Sequence, residues 1–256
     1  MQKYFVAPEQ FGEQYIEITG QDAHHITKVM RQKPGDAFIV SDGVSREAWV
    51  QLDVIEDKAV RAIIVEHRTL DREPAMQVAI AQSLPKGDKM ELIIQKCTEI
   101  GAVAFVPFVS ERTVVQYDAK KEAKRMERWG KIAKEAAEQS HRNLVPSIER
   151  ALSWKELLQS IEAYDLALFC YENEQGTELR DVARPFVERR LADNQRAARV
   201  LIIVGPEGGF ASREVEEIMQ AGAKCVGLGR RILRAETAGM LALGCLLYES
   251  GEMGGI

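Results

Sequence analysis

Apolar and polar positions alternate in short runs through residues 1–72, and the period changes after that. Residues 15–18, 37–40, 48–52 and 62–65 alternate or are β-branched. Thr19-Gly20, Pro34-Gly35-Asp36 and Ser41-Asp42-Gly43 separate these runs, so the pattern predicts strands joined by turns. One short helix, with Asp22 as N-cap and running to Met30, interrupts them. Strands this short and this closely spaced predict a small barrel. The polar stretch 67–74 ends the pattern.

Beyond it, buried-type strands are expected at 77–81, 103–106, 166–169, 200–204 and 225–228. They alternate with helices expected at Lys89–Ile100 (closed by Gly101), Ala119–Gln139, Leu179–Ala192, 212–221 and 235–248. Strand–helix alternation of this kind predicts βαβ units and a parallel sheet. The expected layout is therefore a β-barrel module over 1–72 and an α/β domain over 73–256, with no internal repeat or low-complexity segment.

Composition adds exclusions. A chain with 46% hydrophobic and 29% charged residues is neither disordered nor fibrous. The net charge of −5 rules out a global basic field and leaves room for a local basic face. No apolar run approaches the roughly 18 residues a membrane helix needs. Lys3 and Pro8 stand where a signal peptide has its apolar core, which points to the cytoplasm. Cys97, Cys170, Cys225 and Cys245 are far apart, with four histidines to help them, so neither a metal site nor a disulfide framework is expected.

Two loops hold the candidate chemistry. The apolar run 200–204 enters Gly205-Pro206-Glu207-Gly208-Gly209-Phe210, and a helix with an acidic first turn follows from Ser212. Ligands of open α/β sheets sit at the carboxyl ends of strands, where glycines let the backbone come close. Neither a dinucleotide fingerprint nor a Walker A loop is present, and the acidic helix start disfavours a phosphate there. The second loop is Leu228-Gly229-Arg230-Arg231-Ile232-Leu233-Arg234-Ala235-Glu236-Thr237-Ala238. Three arginines ahead of an apolar helix oppose its dipole, so an anionic ligand or an acidic neighbour such as Glu207 or Glu236 is the expected partner.

Together these loops resemble the C-terminal motifs of the SPOUT methyltransferases. Within that superfamily the chain is identified as a member of the RsmE family, which methylates N3 of a uridine in bacterial 16S ribosomal RNA. The resemblance covers nearly the whole chain. His24-His25-Ile26-Thr27-Lys28-Val29-Met30-Arg31, the segment from Lys89 to Gly101 and Ala136-Ala137-Glu138-Gln139-Ser140-His141-Arg142-Asn143-Leu144-Val145-Pro146 match the family's other signatures. Met30 and Ile100 stand where leucines are expected.

The resemblance implies an N-terminal PUA-like β-barrel and a SPOUT-type α/β domain whose end is threaded into a trefoil knot. It implies a homodimer, S-adenosylmethionine as the cofactor, no metal, and 16S ribosomal RNA within the small subunit as the partner. Phe169, Tyr171, Val204, Gly205, Gly208, Gly209, Leu228, Gly229, Ile232, Leu233, Thr237 and Ala238 are the implied cofactor residues. Uridine N3 is a poor nucleophile until its proton leaves, so a base and a charge stabiliser are expected. Glu207 or Glu236 is the candidate base and Arg234 the candidate stabiliser. His25, Lys28 and Arg31 in the barrel, with Lys121, Arg125 and Arg142 from a charged helix and its end, are the candidate RNA contacts. Competing readings keep the fold but methylate a ribose 2′-hydroxyl or a transfer RNA, or drop catalysis for RNA binding in ribosome assembly.

Overall fold

The computed structural model, which describes residues 2–115, 118–174, 176–194 and 197–254, sorts the two hydrophobic periods into two units. One unit comprises Met1–Glu73 with Ala137–Val145, and the other Pro74–Ala136 with Pro146–Ile256. No helix among the described residues is long and apolar enough to cross a membrane.

The first unit is built on β1 (Lys3–Phe5), β2 (Tyr15–Thr19), β3 (Ala37–Ser41), β4 (Glu47–Ile55) and β5 (Ala59–Arg68). They form one sheet in the order β1-β3-β4-β5-β2, with β1 parallel to β3 and the other pairs antiparallel. Alternation in β2 puts Ile16 and Ile18 inside, where they meet Phe38, Val50, Leu52 and Val60. A short helix, α1 (Gly20–His24), continues as a π turn over His25–Val29 and buries Ala23 and Ile26. Thr19 rather than Asp22 is its N-cap, because the chain turns helical as soon as β2 ends. β1 has only three residues, too few to show a period, and it was not expected.

A buried polar knot fastens Ala137–Val145 to this sheet. Glu73 Oε2 accepts a 2.5 Å hydrogen bond from Arg142, and its Oε1 accepts the Asn143 amide at 2.8 Å. Asn143 donates through Nδ2 to Glu47, whose carboxylate also pairs with the buried Lys3. Buried charges are tolerable only when paired and hydrogen-bonded in this way.

The second unit alternates as the pattern predicts: β6 (Met76–Ser83), α2 (Lys89–Ile100), β7 (Ala104–Val109), α3 (Ala119–Gln139), β8 (Ser147–Ile148), β9 (Leu152–Ser153), α4 (Trp154–Ser160), β10 (Leu166–Cys170), α5 (Leu179–Ala192), β11 (Ala198–Val204), α6 (Ser212–Gln220), β12 (Lys224–Val226) and α7 (Ala235–Glu249). The strand order is β12-β10-β11-β6-β7-β8, with β9 also beside β7, and every pairing is parallel. β8, β9 and α4 were not anticipated, since runs of two to seven residues carry little periodicity. β10 is buried along its whole length and β11 at all but Arg199, as expected of strands covered on both faces. In α2, Met90, Ile93, Ile94, Cys97 and Thr98 form the buried stripe of an amphipathic helix. α7 lies close to the sheet at Gly239, where an added Cβ would be 3.6 Å from Ile80 and 3.7 Å from Val204.

The turn after β3 yields a stability prediction. Asp42 Oδ1 accepts the amides of Val44, Ser45 and Arg46 at 2.9 Å each, and Oδ2 accepts Arg46 Nε at 2.8 Å. Burial alone would raise this carboxyl, but the Arg46 hydrogen bonds and the neighbouring amides hold it down to about 2. A depressed folded value contributes stability above the unfolded value, and that stability is lost as pH falls toward 2. Asp42→Asn is expected to cost about 2 kcal/mol at neutral pH and to flatten the loss of stability between about pH 4 and pH 2. Thermal melts of both proteins across that window check it; parallel curves would contradict it.

Candidate active site

The parallel register sets Gln82, Val204, Cys170 and Val226 in one row at the carboxyl ends of β6, β11, β10 and β12. The segments leaving three of these strands, with Lys89 at the start of α2, line a single cleft of about 480 Å³. That volume lies within the range of small-molecule sites, and the edge of the sheet is where open α/β folds bind ligands.

The loop after β11 is shaped by Phe210. Its ring packs between Phe169 (centroids 4.6 Å apart), Trp154 (5.9 Å) and Phe108 (6.4 Å), pulling the loop back onto the sheet. A Cβ on Gly205 would come within 2.6 Å of that ring, so only glycine fits there. Gly209 has φ +66 and faces the Glu172 carboxylate where a side chain would be, so backbone conformation and close approach both require glycine. Gln82 Nε2 donates to Gly205 O at 3.2 Å, and Arg112 Nη1 donates to Gly208 O at 2.9 Å.

On the other wall, the segment after β12 is held by the loop that follows β10. Gly227 N donates to Thr177 O at 2.8 Å, Leu179 N donates to Gly227 O at 3.0 Å, and Gly229 N donates to Glu178 Oε2 at 3.1 Å. These main-chain groups of Gly227 and Gly229 are therefore already occupied. Tyr171, Val204, Leu228, Leu233 and Ala238 supply apolar lining, with Ile232 at the mouth 87% exposed.

The charged groups form a chain. Lys89 Nζ donates to Glu207 Oε1 at 2.7 Å, and the same oxygen accepts the Lys86 amide at 3.2 Å. Burial would raise the Glu207 carboxyl, but the Lys89 hydrogen bond, helped by backbone amides, holds it below the usual carboxylate value. Glu236, in the first turn of α7, stands 3.8 Å from Lys89 Nζ through Oε2, and its Oε1 is 4.0 Å from Arg234 Nη1. Glu236 Oε2 is buried and has no hydrogen-bond partner.

Of the expected cofactor residues, Tyr171, Val204, Gly205, Gly208, Gly209, Leu228, Gly229, Ile232, Leu233 and Ala238 line the cleft, and so do Glu207, Arg234 and Glu236. Phe169 lies outside it, fully buried behind Tyr171 with ring centroids 5.8 Å apart. Thr237 also lies outside the lining, in the first turn of α7. Lys89 and Glu174 line the cleft without having been singled out. Lys89 opens the segment that matches a family signature, after a Pro-Lys-Gly-Asp turn at a strand's carboxyl end, but nothing there assigns it a role.

The candidate RNA contacts fall differently. In the first unit Lys28 and Arg31 are exposed, and Arg31 takes φ +53 just after the π turn. His25 is half-buried, with Nδ1 3.0 Å from Tyr4 Oη. In the second unit Lys121 is exposed on α3, while Arg125 reaches Asp88 and Glu91 at 3.3 Å each. Arg142 is 4% exposed with its guanidinium on Glu73, so it braces the first unit and presents no surface to a phosphate, contrary to the sequence expectation.

The cleft suits a ligand with apolar and positively charged parts: apolar side chains face it, and the carboxylates of Glu172, Glu174 and Glu236 line it. Comparison with known proteins agrees in kind. A model described as an RNA methyltransferase domain matches residues 72–247, and one described as an RNA methyltransferase PUA domain matches 18–65. The chain is 40% identical to the ribosomal RNA small subunit methyltransferase E of Bacillus subtilis, over 98% of this chain and 97% of that one. Its fold resembles the methyltransferase E of Neisseria gonorrhoeae solved bound to S-adenosyl methionine, with TM-score 0.85, 29% identity and 97% of each chain covered. It also resembles a Legionella pneumophila protein solved with the cofactor SAM, with TM-score 0.84, 27% identity and 96% of each chain covered. Matched in both of its parts by models of RNA methyltransferases, and aligned nearly end to end with a methyltransferase E, the chain belongs to the RsmE family of RNA methyltransferases.

Proposed function

We propose that the protein methylates N3 of a uridine in bacterial 16S ribosomal RNA, with S-adenosylmethionine as methyl donor. The observation that carries this reading is Glu236 Oε2, a buried carboxylate oxygen without a hydrogen-bond partner in the wall of a glycine-lined cleft. Uridine N3 carries an imide proton that must leave before the nitrogen can attack, and a carboxylate held dry is a suitable acceptor. Arg234, 4.0 Å from Oε1, adds positive charge near Glu236 without a hydrogen bond to it. Glu207, tied to Lys89 and to the Lys86 amide, is an anchor for the loop and a poorer base.

S-adenosylmethionine, when bound, supplies an electrophilic methyl group on a sulfonium. Leu228, Leu233 and Ala238 would flank its adenine, while Glu172 and Glu174 would meet its positive charges. Leu228 and Leu233 lie on the segment after β12, and three hydrogen bonds to the loop after β10 fix the start of that segment before α7 returns to the sheet. This path supports a trefoil knot. A second, apolar groove of about 490 Å³ between α5 and α7 includes Leu179, Met240, Leu241 and Tyr248, and supports a homodimer through that face. Such an enzyme works where ribosomes are assembled, in the cytoplasm, on the small subunit or its RNA.

The test is methyl transfer to 16S RNA and to small subunits, with nucleoside mass spectrometry. Wild type is expected to form N3-methyluridine, and Glu236→Gln to lose roughly 10²-fold or more in kcat with cofactor affinity retained. A ribose-methylated product, or full activity of the Gln variant, would count against this chemistry.

RNA is expected to meet Lys28 and Arg31, whose exposed charges suit phosphates. Reversing both to Glu should weaken RNA binding about tenfold or more at moderate salt and lower the slope of log affinity against log salt by about two. Fluorescence anisotropy over a salt series reads both, and S-adenosylmethionine binding should not change. An unaltered slope would remove this patch from the RNA interface.

A further inference from the structure

The following inference rests on the proposed uridine chemistry and deepens it. Loss of the N3 proton leaves negative charge shared by N3 and the carbonyl oxygens on either side, and a site that stabilises that charge needs a fixed cation. Arg234, the sequence candidate, has a side chain 80% exposed, where water screens it. Lys89 is 31% exposed, and its ammonium is anchored at 2.7 Å by a carboxylate that is itself held by a backbone amide. An ammonium has three donors and no acceptor. One goes to Glu207, and Glu236 at 3.8 Å is beyond hydrogen-bond reach, which leaves donors available to a ligand in the cleft that Lys89 lines.

We propose that Lys89 is a catalytic cation: its ammonium donates to a carbonyl oxygen beside uracil N3 while Glu236, 3.8 Å away, takes the N3 proton. The pair matches an imide edge, on which the N–H and a carbonyl oxygen are neighbours. The two carboxylates would otherwise repel the uracil anion, and Lys89 is the cation that both face. The groups around Lys89 are Glu207, Glu236 and Arg234. The Glu207 hydrogen bond raises the ammonium above the usual lysine value; desolvation and Arg234 oppose it, and Glu236 adds to it. Lys89 therefore stays charged at neutral pH and does not compete with Glu236 as the base.

Single-turnover methyl transfer into 16S RNA by wild type, Lys89→Met and Lys89→Arg, from about pH 6 to about pH 10, tests this, with cofactor affinity measured by equilibrium dialysis. The Met variant is expected to lose roughly 10²-fold in rate at neutral pH with unchanged cofactor affinity. Its deficit should shrink as pH rises, because uridine then ionises unaided, and the Arg variant should keep most of the rate. Wild-type turnover by the Met variant overturns the proposal. So does a deficit equal at every pH, or one that vanishes at saturating cofactor, since these assign Lys89 to structure or to cofactor binding. Should the Met variant misfold, Lys89→Gln is judged by the same criteria. A wild-type product other than N3-methyluridine overturns the uridine reading as well; N3-methyluridine from wild type with an unimpaired Lys89 variant overturns the role of Lys89 alone.

Discussion

The parallel register of β12, β10, β11 and β6 is the constraint on which the rest of the second unit depends. With Cys170 level with both Val204 and Val226, and Val204 level with Gln82, four strands end at one height. Their connections must start there, and short connections between parallel strands and helices leave little freedom in where their first residues go. The cleft is the space left among those starts. Phe210 then fixes the loop after β11 by burying a ring among three others, so loop shape is held by hydrophobic packing rather than by polar contacts alone.

On that frame the charges are arranged as an acid–base–acid series, Glu207–Lys89–Glu236, with Arg234 outside it. Each member changes the work of the next. Glu207, committed to Lys89, is too stabilised as an anion to be a strong proton acceptor. Lys89, held by Glu207, keeps its charge. Glu236 keeps one oxygen without a hydrogen bond inside the protein. Division of labour among like residues by environment is a general way for an active site to obtain two behaviours from two carboxylates.

Much of this was legible in the sequence, and the exceptions have physical causes. Buried strands such as Leu166–Cys170 and helices such as Lys89–Ile100 announce themselves by period, and the glycine loops by composition. β1, β8, β9 and α4 are too short for a period. The loop residues at 205–209 and 228–236 could be read locally because the loops themselves form the cleft. Lys89 could not, because its partner Glu207 is far along the chain and only the β6–β11 pairing brings the two together. Arg142 failed in the opposite direction: residue type suggests a surface cation, but type says nothing about a half-buried Glu73 waiting for it. Thr237 and Phe169 were each one residue or one layer off the lining.

The buried polar knot of the first unit has a genetic consequence. Arg142 and Asn143 are encoded well downstream of the carboxylates they serve: Arg142 pairs with Glu73, and Asn143 donates a hydrogen bond to Glu47. A gene fragment ending at Glu73 would specify all five strands and keep the pairing of Glu47 with Lys3 and Arg68, yet it would lose Arg142 from Glu73 and the Asn143 hydrogen bond to Glu47. The N-terminal module is thus not a portable cassette. Moving it intact would mean carrying residues 137–145 along with 1–73, so the coding sequences of the two parts are interleaved.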